Sequence, residues 1–260
     1  MELGFGEAPA GFESPSQIAR VLTEGWVALR MFCPGCGADQ LEKFANNREA
    51  ADFHCAGCGE EYELKSQKRR FGPSVVDGAY AAMLRRLQAA NNPSLLLMNY
   101  DLQRLAVTNL FVVPRHFFTP EIIRPRPPLG PTARRAGWRG CNILLREVPD
   151  SGKIVLVRDG VLTPRDEVLA QWRRTLFLRE ARPEARGWLV EVMKCVEAIG
   201  RPDFTLADVY AFEPHRAAAY PDNRNVRPKI RQQLQVLRDH GWLEFQGRGR
   251  YRLRMQSPSL

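Results

Sequence analysis

Two acidic residues and a lysine flank a cysteine-containing turn at a spacing that suits metal-ion chemistry. The segments before and after the turn have the composition of short strands. If the turn is centred between Gly57 and Cys58, Asp52 lies opposite Glu63, with Cβ atoms about 5 Å apart. Lys65 follows two residues after Glu63, and both side chains therefore point to the same face of the hairpin.

Two carboxylates and an ammonium group on one face could hold Mg²⁺, which prefers oxygen ligands and keeps several of its waters. We predict Asp52, Glu63 and the backbone carbonyl of Leu64 as ligands. The ion would stabilise a phosphorane-like transition state and acidify a water, while Lys65 would orient that water or neutralise developing charge. The alternative is a surface hairpin with a cross-strand acid pair and an unrelated lysine. The hairpin geometry and the basic character of the chain favour catalysis.

Four of the six cysteines form two knuckles of the type Cys-x-x-Cys-Gly. The thiols are those of Cys33, Cys36, Cys55 and Cys58. Two such turns can wrap tetrahedrally around one Zn²⁺, and the glycines permit the positive φ that these turns require. A redox-active cysteine pair is the alternative, which two matched pairs disfavour. Because cysteine fills all four ligand positions, the zinc is predicted to be structural.

The elements around these residues predict a mixed α/β domain over residues 1–181. Helices are predicted at 14–29 and 75–90, and strands at 50–54, 61–65, 94–100, 109–114 and 153–157. The proline-rich stretch 124–131 is predicted to be a loop. Elements in this order indicate a central sheet flanked by helices. Glu24 on the first helix could lean into a metal site, but a single acid on a helix is usually solvated.

Residues 182–260 predict a separate winged-helix domain. Helices are expected at 188–199, from Thr205 onward and at 226–239, followed by strands at 242–245 and 250–253. Thr205 and Asp208 have the spacing of a helix capping box. Three helices followed by a hairpin are typical of a winged helix.

The charge of the chain favours a polyanionic partner. The net charge is +9, and residues 223–260 carry nine Lys or Arg against two acids. No apolar run approaches the roughly 20 residues that cross a bilayer, and the first residues lack a secretory signal. The sequence therefore predicts a cytoplasmic protein with no membrane partner, and it does not require an oligomer. In such a reducing compartment, paired cysteines favour metal binding over disulfides.

Two segments carry candidate DNA contacts. The residues are Arg134, Arg135, Trp138 and Arg139 after the proline-rich loop, and Lys229, Gln232, Gln235, Arg248 and Arg250 in the tail. Arginine suits phosphate and guanine, and glutamine can bond adenine edges. The Trp138 indole offers an apolar wall for an N6-methyl group, or alternatively anchors the core. A solvated basic helix is the alternative for the tail.

At these residues the chain resembles the PD-(D/E)XK nuclease superfamily, with Ala51 in place of the frequent proline, and more narrowly the DpnI-type restriction endonucleases. The likeness runs through residues 51–53, the pair Cys55 and Cys58, and residues 61–65, 77–81, 131–138, 140–142 and 229–239. It implies an α/β (α+β) nuclease domain with an embedded four-cysteine zinc site and a C-terminal winged-helix domain. It also implies a type II (IIM) endonuclease that cuts double-stranded DNA at N6-methyladenine, with methylated GATC as target.

Two further functions compete with this one. A non-catalytic DNA-binding regulator would share the zinc module and the winged helix, and only Asp52, Glu63 and Lys65 separate it from an enzyme. A repair-type nuclease would share the active site but show no methyl requirement. Cleavage of methylated against unmethylated plasmid distinguishes all three.

Overall fold

The computed structural model describes residues 1–6, 11, 14–45, 51–89, 91–214 and 225–254. The chain forms two compact units, one of Met1–Arg146 with Ser151–Thr175 and the other of Glu147–Asp150 with Leu176–Leu260. Ala50, the first residue of the predicted strand 50–54, and Ala90, the last residue of the predicted helix 75–90, lie outside the described residues. Within the described residues, no helix is both long enough and apolar enough to span a membrane.

The first unit is built on a seven-stranded sheet. Its elements are α1 (Pro15–Arg30), β1 (Glu42–Lys43), β2 (Phe53–His54), β3 (Glu61–Gln67), β4 (Val75–Ala79), α2 (Tyr80–Ala89), β5 (Ser94–Asp101), β6 (Ala106–Val113), β7 (Ile123–Pro125), β8 (Gly140–Ile143), β9 (Ile154–Arg158), β10 (Val161–Leu162) and α3 (Arg165–Arg173). The strand order in this sheet is β1-β2-β3-β5-β6-β9-β10. β3 and β5 are parallel, and the other neighbours are antiparallel.

The apolar run of β5 explains its central position in this sheet. Residues 94–100 are all buried, and they pair with β3 on one side and β6 on the other. A strand that is covered on both faces exposes no side chain to water, so it can be apolar throughout. A strand with one face in water instead alternates apolar and polar residues. β3 is thus fixed against the most buried strand of the unit, and the side chains it carries are held on a rigid support.

A second sheet has the order β4-β8-β7 and corrects one prediction. Residues 75–79 form a strand that pairs antiparallel with β8, and the helix begins only at Tyr80. The predicted helix from residue 75 is therefore wrong over its first five positions. Val75 is buried and Val76 is 58% exposed, an alternation that suits a strand with one covered face. Arg124 and Pro125, predicted to lie in a loop, belong to the edge strand β7.

In its described residues, the second unit contains three α-helices and a small sheet. Its elements are α4 (Pro183–Ala198), β11 (Asp203–Thr205), α5 (Leu206–Tyr210), α6 (Val226–Asp239), β12 (Leu243–Gly247) and β13 (Arg250–Leu253). The strand order is β11-β13-β12, so a strand the sequence did not predict extends the hairpin. The capping box at Thr205 is present: its hydroxyl accepts from the Asp208 amide, and the Asp208 carboxylate accepts from the Thr205 amide. The predicted mixed α/β fold class is confirmed.

Candidate active site

The hairpin of β2 and β3 brings the two predicted acids opposite each other. Phe53 pairs with Tyr62, and the Asp52 amide donates to the Tyr62 carbonyl at 2.9 Å. Continuing this register places Asp52 across from Glu63, as the turn between the strands predicts. The sequence folds this way locally because a tight turn fixes the pairing of the strands that enter and leave it.

The Asp52 carboxylate is held by the backbone of the strand opposite. The amide of Leu64 donates to Asp52 Oδ2 at 2.7 Å. Burial raises the pKa of Asp52, the Leu64 amide counteracts this rise, and the nearby Glu24 carboxylate adds to it. Asp52 is thus oriented by a fixed donor in a region where a negative charge is poorly solvated.

Glu63 and Lys65 form an ion pair, and a third side chain joins it. Lys65 Nζ lies 2.6 Å from Glu63 Oε1 and 2.9 Å from Asp77 Oδ1. Burial and then the Asp77 charge raise the pKa of Glu63 to about 7, although Lys65 opposes the shift. Burial lowers the pKa of Lys65, but the two carboxylates outweigh it and leave that pKa above its usual range. The ammonium group therefore stays charged.

The side chains of Asp52, Glu63 and Lys65 line one open cavity of about 570 Å³. Its wall also includes Arg20, Thr23 and Glu24 from α1, Ser66 and Gln67 from β3, and Phe71, Ser74, Val75 and Val76 beyond it. The predicted trio is therefore gathered at one accessible surface rather than scattered. Carboxylate oxygens from Asp52 and Glu63 are the donors that a hard divalent cation prefers, so the donor chemistry fits Mg²⁺.

Glu24 does not behave as the sequence suggested. It is 7% exposed rather than solvated, and its two carboxylate oxygens lie 2.6 Å from Arg20 Nε and 2.6 Å from Lys43 Nζ. The helical position alone carried no sign of this, because burial here comes from packing of α1 near β3. Two cations therefore balance the charge that Glu24 brings close to Asp52.

Asp77 is the residue near the trio that sequence reasoning missed. Its side chain is 7% exposed and contacts the Lys65 ammonium, although it lies on β4 in the other sheet. Assigning residues 75–79 to a helix hid the alternation that turns Asp77 inward. The β-branched pair Val75-Val76 favours a strand, and this was the available signal.

The four predicted zinc ligands form one cluster. Their Sγ atoms all lie within 4.8 Å of one another, including 3.7 Å between Cys33 and Cys58 and 3.5 Å between Cys36 and Cys55. Tetrahedral Zn–S bonds of about 2.3 Å require S···S distances of about 3.8 Å, so the cluster fits zinc. Among the described residues, no other set of three or more Cys, His, Asp or Glu side chains converges in this way.

The knuckle backbones are near copies of each other. The Gly37 amide donates to the Cys33 carbonyl and the Gly59 amide to the Cys55 carbonyl, both at 2.8 Å. Both glycines have positive φ, 85° and 70°, as the turn geometry predicts. The Tyr62 hydroxyl of β3 lies 3.1 Å from Cys33 Sγ. The cluster is therefore tied directly to the strand that carries Glu63 and Lys65.

The loop between β7 and β8 holds the first group of predicted DNA contacts. Arg134, Arg135 and Arg139 are exposed, and Trp138 is half-buried. A Cβ added at Gly140 would lie 2.9 Å from the Trp138 ring, so the indole packs directly on this glycine. Trp138 is thus anchored on one side and still partly accessible.

The tail residues lie in the second unit. Ile230, Leu234 and Leu237 of α6 are buried, while Gln232, Gln235, Arg248 and Arg250 are exposed and Lys229 is half-exposed. Gln233 is 2% exposed and belongs to the core, because it lies three residues after Ile230 and four before Leu237 on the same face of the helix. Arg248 sits at the hairpin tip with φ of 49°, between two glycines of positive φ. The surface suits contact with a polyanion.

Family models cover almost the whole chain. The model of the DpnI family, described as the Dam-replacing family, matches residues 1–181. The model described as the Dam-replacing HTH domain matches residues 184–253. The first match contains the cysteine cluster and the Asp52 hairpin, and the second contains the three tail helices, except the first residue of α4, and their sheet.

Proposed function

The chain belongs to the DpnI, or Dam-replacing, family, and we propose that it is a Mg²⁺-dependent type II restriction endonuclease. The proposed reaction is hydrolysis of phosphodiester bonds in double-stranded DNA at N6-methyladenine, with methylated GATC as target. The observation that carries this proposal is the gathering of Asp52, Glu63 and Lys65 in one cleft. A DNA-binding regulator would have no use for a buried pair of acids beside a charged lysine.

The proposed roles follow from how each side chain is held. Asp52, Glu63 and the Leu64 carbonyl would bind Mg²⁺, which supplies positive charge at the scissile phosphate and lowers the pKa of a bound water. The hydrogen bond from the Leu64 amide holds the Asp52 carboxylate in one orientation. The carboxylate therefore does not have to reorient during the reaction. Lys65, which remains charged, would neutralise the charge that develops on the phosphate or orient the attacking water.

Zinc is proposed to have a structural role only. Four cysteine thiolates complete a tetrahedral shell and leave no position for water or substrate. Cys55 directly follows β2, and Tyr62 of β3 contacts Cys33, so the cluster clamps both strands of the hairpin. We propose that this clamp keeps Asp52 and Glu63 aligned.

Recognition of the methylated base is proposed to involve both units. In the first, Arg134, Arg135 and Arg139 would contact phosphates or guanine, and the accessible part of Trp138 would pack against the N6-methyl group. An apolar wall rewards a methyl group without offering the unmethylated amine a hydrogen bond. This asymmetry is a physical basis for preferring the modified base.

In the second unit, α6 is proposed to enter the major groove. Gln232 and Gln235 would bond adenine edges, and Lys229 would contact a phosphate. Arg248 and Arg250, on the hairpin, would grip the backbone of the duplex beside the groove. Support comes from the exposure of Gln232 and Gln235 on α6, whose opposite face buries Ile230, Leu234 and Leu237.

The test is cleavage of one plasmid prepared with and without adenine methylation, with Mg²⁺ present. We expect the wild type to cut only methylated plasmid, and Asp52→Ala to bind it without cutting while retaining zinc. Equal cutting of both plasmids would indicate a repair-type nuclease without a methyl requirement. Binding without any cutting by the wild type would indicate a regulator and overturn the assignment.

A further inference from the structure

Lys65 is held by two acids from different sheets, although the proposed reaction uses only one of them. Glu63 lies on the same strand as Lys65, two residues away, whereas Asp77 reaches the ammonium from β4. The Asp77 side chain is 7% exposed, less than Glu63 at 19% or Lys65 at 27%. Burying an acid is costly unless it is paired, so this placement calls for a role.

Glu63 faces two competing demands. Its Oε1 atom contacts the Lys65 ammonium at 2.6 Å, yet the same carboxylate is a proposed ligand of the cation. A divalent cation bound by Glu63 would weaken the ion pair and repel the lysine at short range. Without a second anchor, Lys65 would leave the position in which it can act on the phosphate.

We propose that Asp77 is a positioning residue, which holds the Lys65 ammonium in place when Glu63 engages the divalent cation. This inference rests on the proposed function and adds a residue to it. Asp77 itself touches neither the phosphate nor the attacking water. It acts through Lys65, at the 2.9 Å contact between Asp77 Oδ1 and Lys65 Nζ.

The position of Asp77 depends on the strand that leaves the Trp138 loop. Asp77 pairs with Cys141 on β8, and a bulge follows it before Ala79 pairs with Gly140. Gly140 is the residue on which the Trp138 ring packs. A bulge redirects the side chains beside it, and here it lies next to the residue that must face Lys65. The same short stretch of β8 therefore supports both Trp138 and Asp77.

The first experiment compares Asp77→Asn with the wild type on methylated plasmid. Asn keeps the size and a hydrogen-bond acceptor but removes the charge. We expect kcat to fall about 10- to 100-fold, with KM and zinc content unchanged, since loss of a supporting partner has effects of this size. Glu191→Gln is the matched control, because Glu191 is also a buried acid beside a lysine, Lys194, but lies in the second unit. It should leave kcat unchanged.

The second experiment measures Ca²⁺ binding by calorimetry, with no DNA cleavage involved. In Asp77→Asn, Lys65 should pair more fully with Glu63 and compete with the ion, which lowers Ca²⁺ affinity several-fold. In a Lys65→Ala background, Asp77→Asn should have a much smaller effect, because no ammonium remains to compete. A simple loss of negative charge near the ion would lower affinity equally in both backgrounds.

The outcomes separate this inference from the proposed function. A wild type that cuts no DNA overturns the proposed function, while the Ca²⁺ comparison still reports on Asp77. Wild-type kcat in Asp77→Asn, or equal Ca²⁺ effects in both backgrounds, would overturn the positioning role. A variant that loses zinc or unfolds is replaced by Asp77→Glu, for which we expect partial retention of kcat because the charge remains.

Discussion

Burial of the acidic side chains gives the cleft its electrostatic character. The pKa values of Asp52 and Glu63 are both raised chiefly because their charged forms are poorly solvated. A cation that binds both would offset this penalty, so the site is poised to take up positive charge. Lys65 supplies part of that charge in the protein alone, which explains why it remains protonated despite its burial.

Because the pKa of Glu63 is raised, we predict that ionisation of this residue lowers the free energy of unfolding as the pH rises. Its folded value of about 7 lies above the value of about 4.3 in an unfolded chain. Between these values the unfolded chain loses a proton that the folded protein keeps, so the free energy of unfolding falls as pH rises, and the loss is complete above about pH 7. Glu63→Gln lacks this group and should gain stability relative to wild type over that window, by on the order of 1–3 kcal/mol.

Urea unfolding of both proteins from about pH 4.5 to about pH 7.5, without added Mg²⁺, measures this difference. The comparison uses only the part of this pH range in which metal analysis finds zinc retained by both proteins, because loss of zinc would disturb the hairpin that carries Glu63. A difference in stability that does not change with pH would contradict the assignment of a raised pKa to Glu63.

Gly140 offers a test of Trp138 that leaves the indole itself in place. A Cβ at position 140 would lie 2.9 Å from the Trp138 ring and 3.5 Å from the Asp77 carbonyl, so Gly140→Ala should displace the ring. We expect the preference for methylated over unmethylated plasmid to fall several-fold, since a buried methyl group contributes on the order of 1 kcal/mol. Gly130→Ala in the same loop is the control, because a Cβ there meets nothing within 4 Å. Unchanged preference in Gly140→Ala would remove Trp138 from the proposed recognition surface.

Contacts between individual side chains were predictable from the sequence only where the two residues lie close together along the chain. The pairing of Asp52 with Glu63 was predictable because a short turn fixes it locally. The contact of Asp77 with Lys65 joins two sheets, and the burial of Glu24 depends on where α1 packs. No local pattern determines either arrangement.

At the level of secondary structure, the two cysteine knuckles are directly connected to the β2–β3 hairpin. Cys55 and Cys58 belong to the turn that sets the hairpin register, and Cys33 contacts Tyr62 on β3. Loss of the metal should therefore disturb Asp52 and Glu63, although the role proposed for zinc is structural only. Cys55→Ser is expected to abolish zinc binding and reduce cleavage at least about 10-fold.

Metal analysis and cleavage rates check this expectation together. Cys195→Ser is the matched control, since Cys195 is 3% exposed on α4, lies in the other unit and is not one of the four clustered cysteines. It should retain zinc and activity. Full activity in a zinc-free Cys55→Ser protein would show that the hairpin aligns without the metal.

The elements that were predicted well share a strong internal signal. β5 was predictable from its apolar run, and α6 from a stripe that ends at a glycine with φ of 71°. Residues 75–79 were assigned to a helix because the apolar pattern continues smoothly into α2. Their strand conformation comes from pairing with β8, more than 60 residues later, which overrides local preference. β11 was missed for the same reason, since three residues beside a later hairpin carry almost no pattern.

At the scale of the whole molecule, the charge is unevenly divided. Residues 223–260 hold nine Lys or Arg against two acids, whereas the net charge of the entire chain is +9.

The second unit also takes in Glu147–Asp150, where Glu147 pairs with Lys194 and the Asp150 amide donates to Glu197. We propose a domain boundary at residues 181 and 182, and a fragment that begins there lacks this segment. It should be less stable than one to which residues 147–150 are restored.

The C-terminal fragment from Arg182 to Leu260 should bind duplex DNA without the nuclease domain. Because each phosphate contact releases counterions, its affinity should fall steeply with salt. Arg248→Ala and Arg250→Ala should each reduce the slope of log affinity against log salt by about 1, and Gln235→Ala should leave the slope unchanged.

If α6 reads the base edges, methylated duplex should outcompete unmethylated duplex several-fold per methyl group, and Gln235→Ala should weaken that preference. Equal binding of both duplexes, measured by fluorescence anisotropy, would make the tail a non-specific anchor and assign methyl recognition to the loop around Trp138. A folded fragment that binds neither duplex would refute DNA binding by this unit alone.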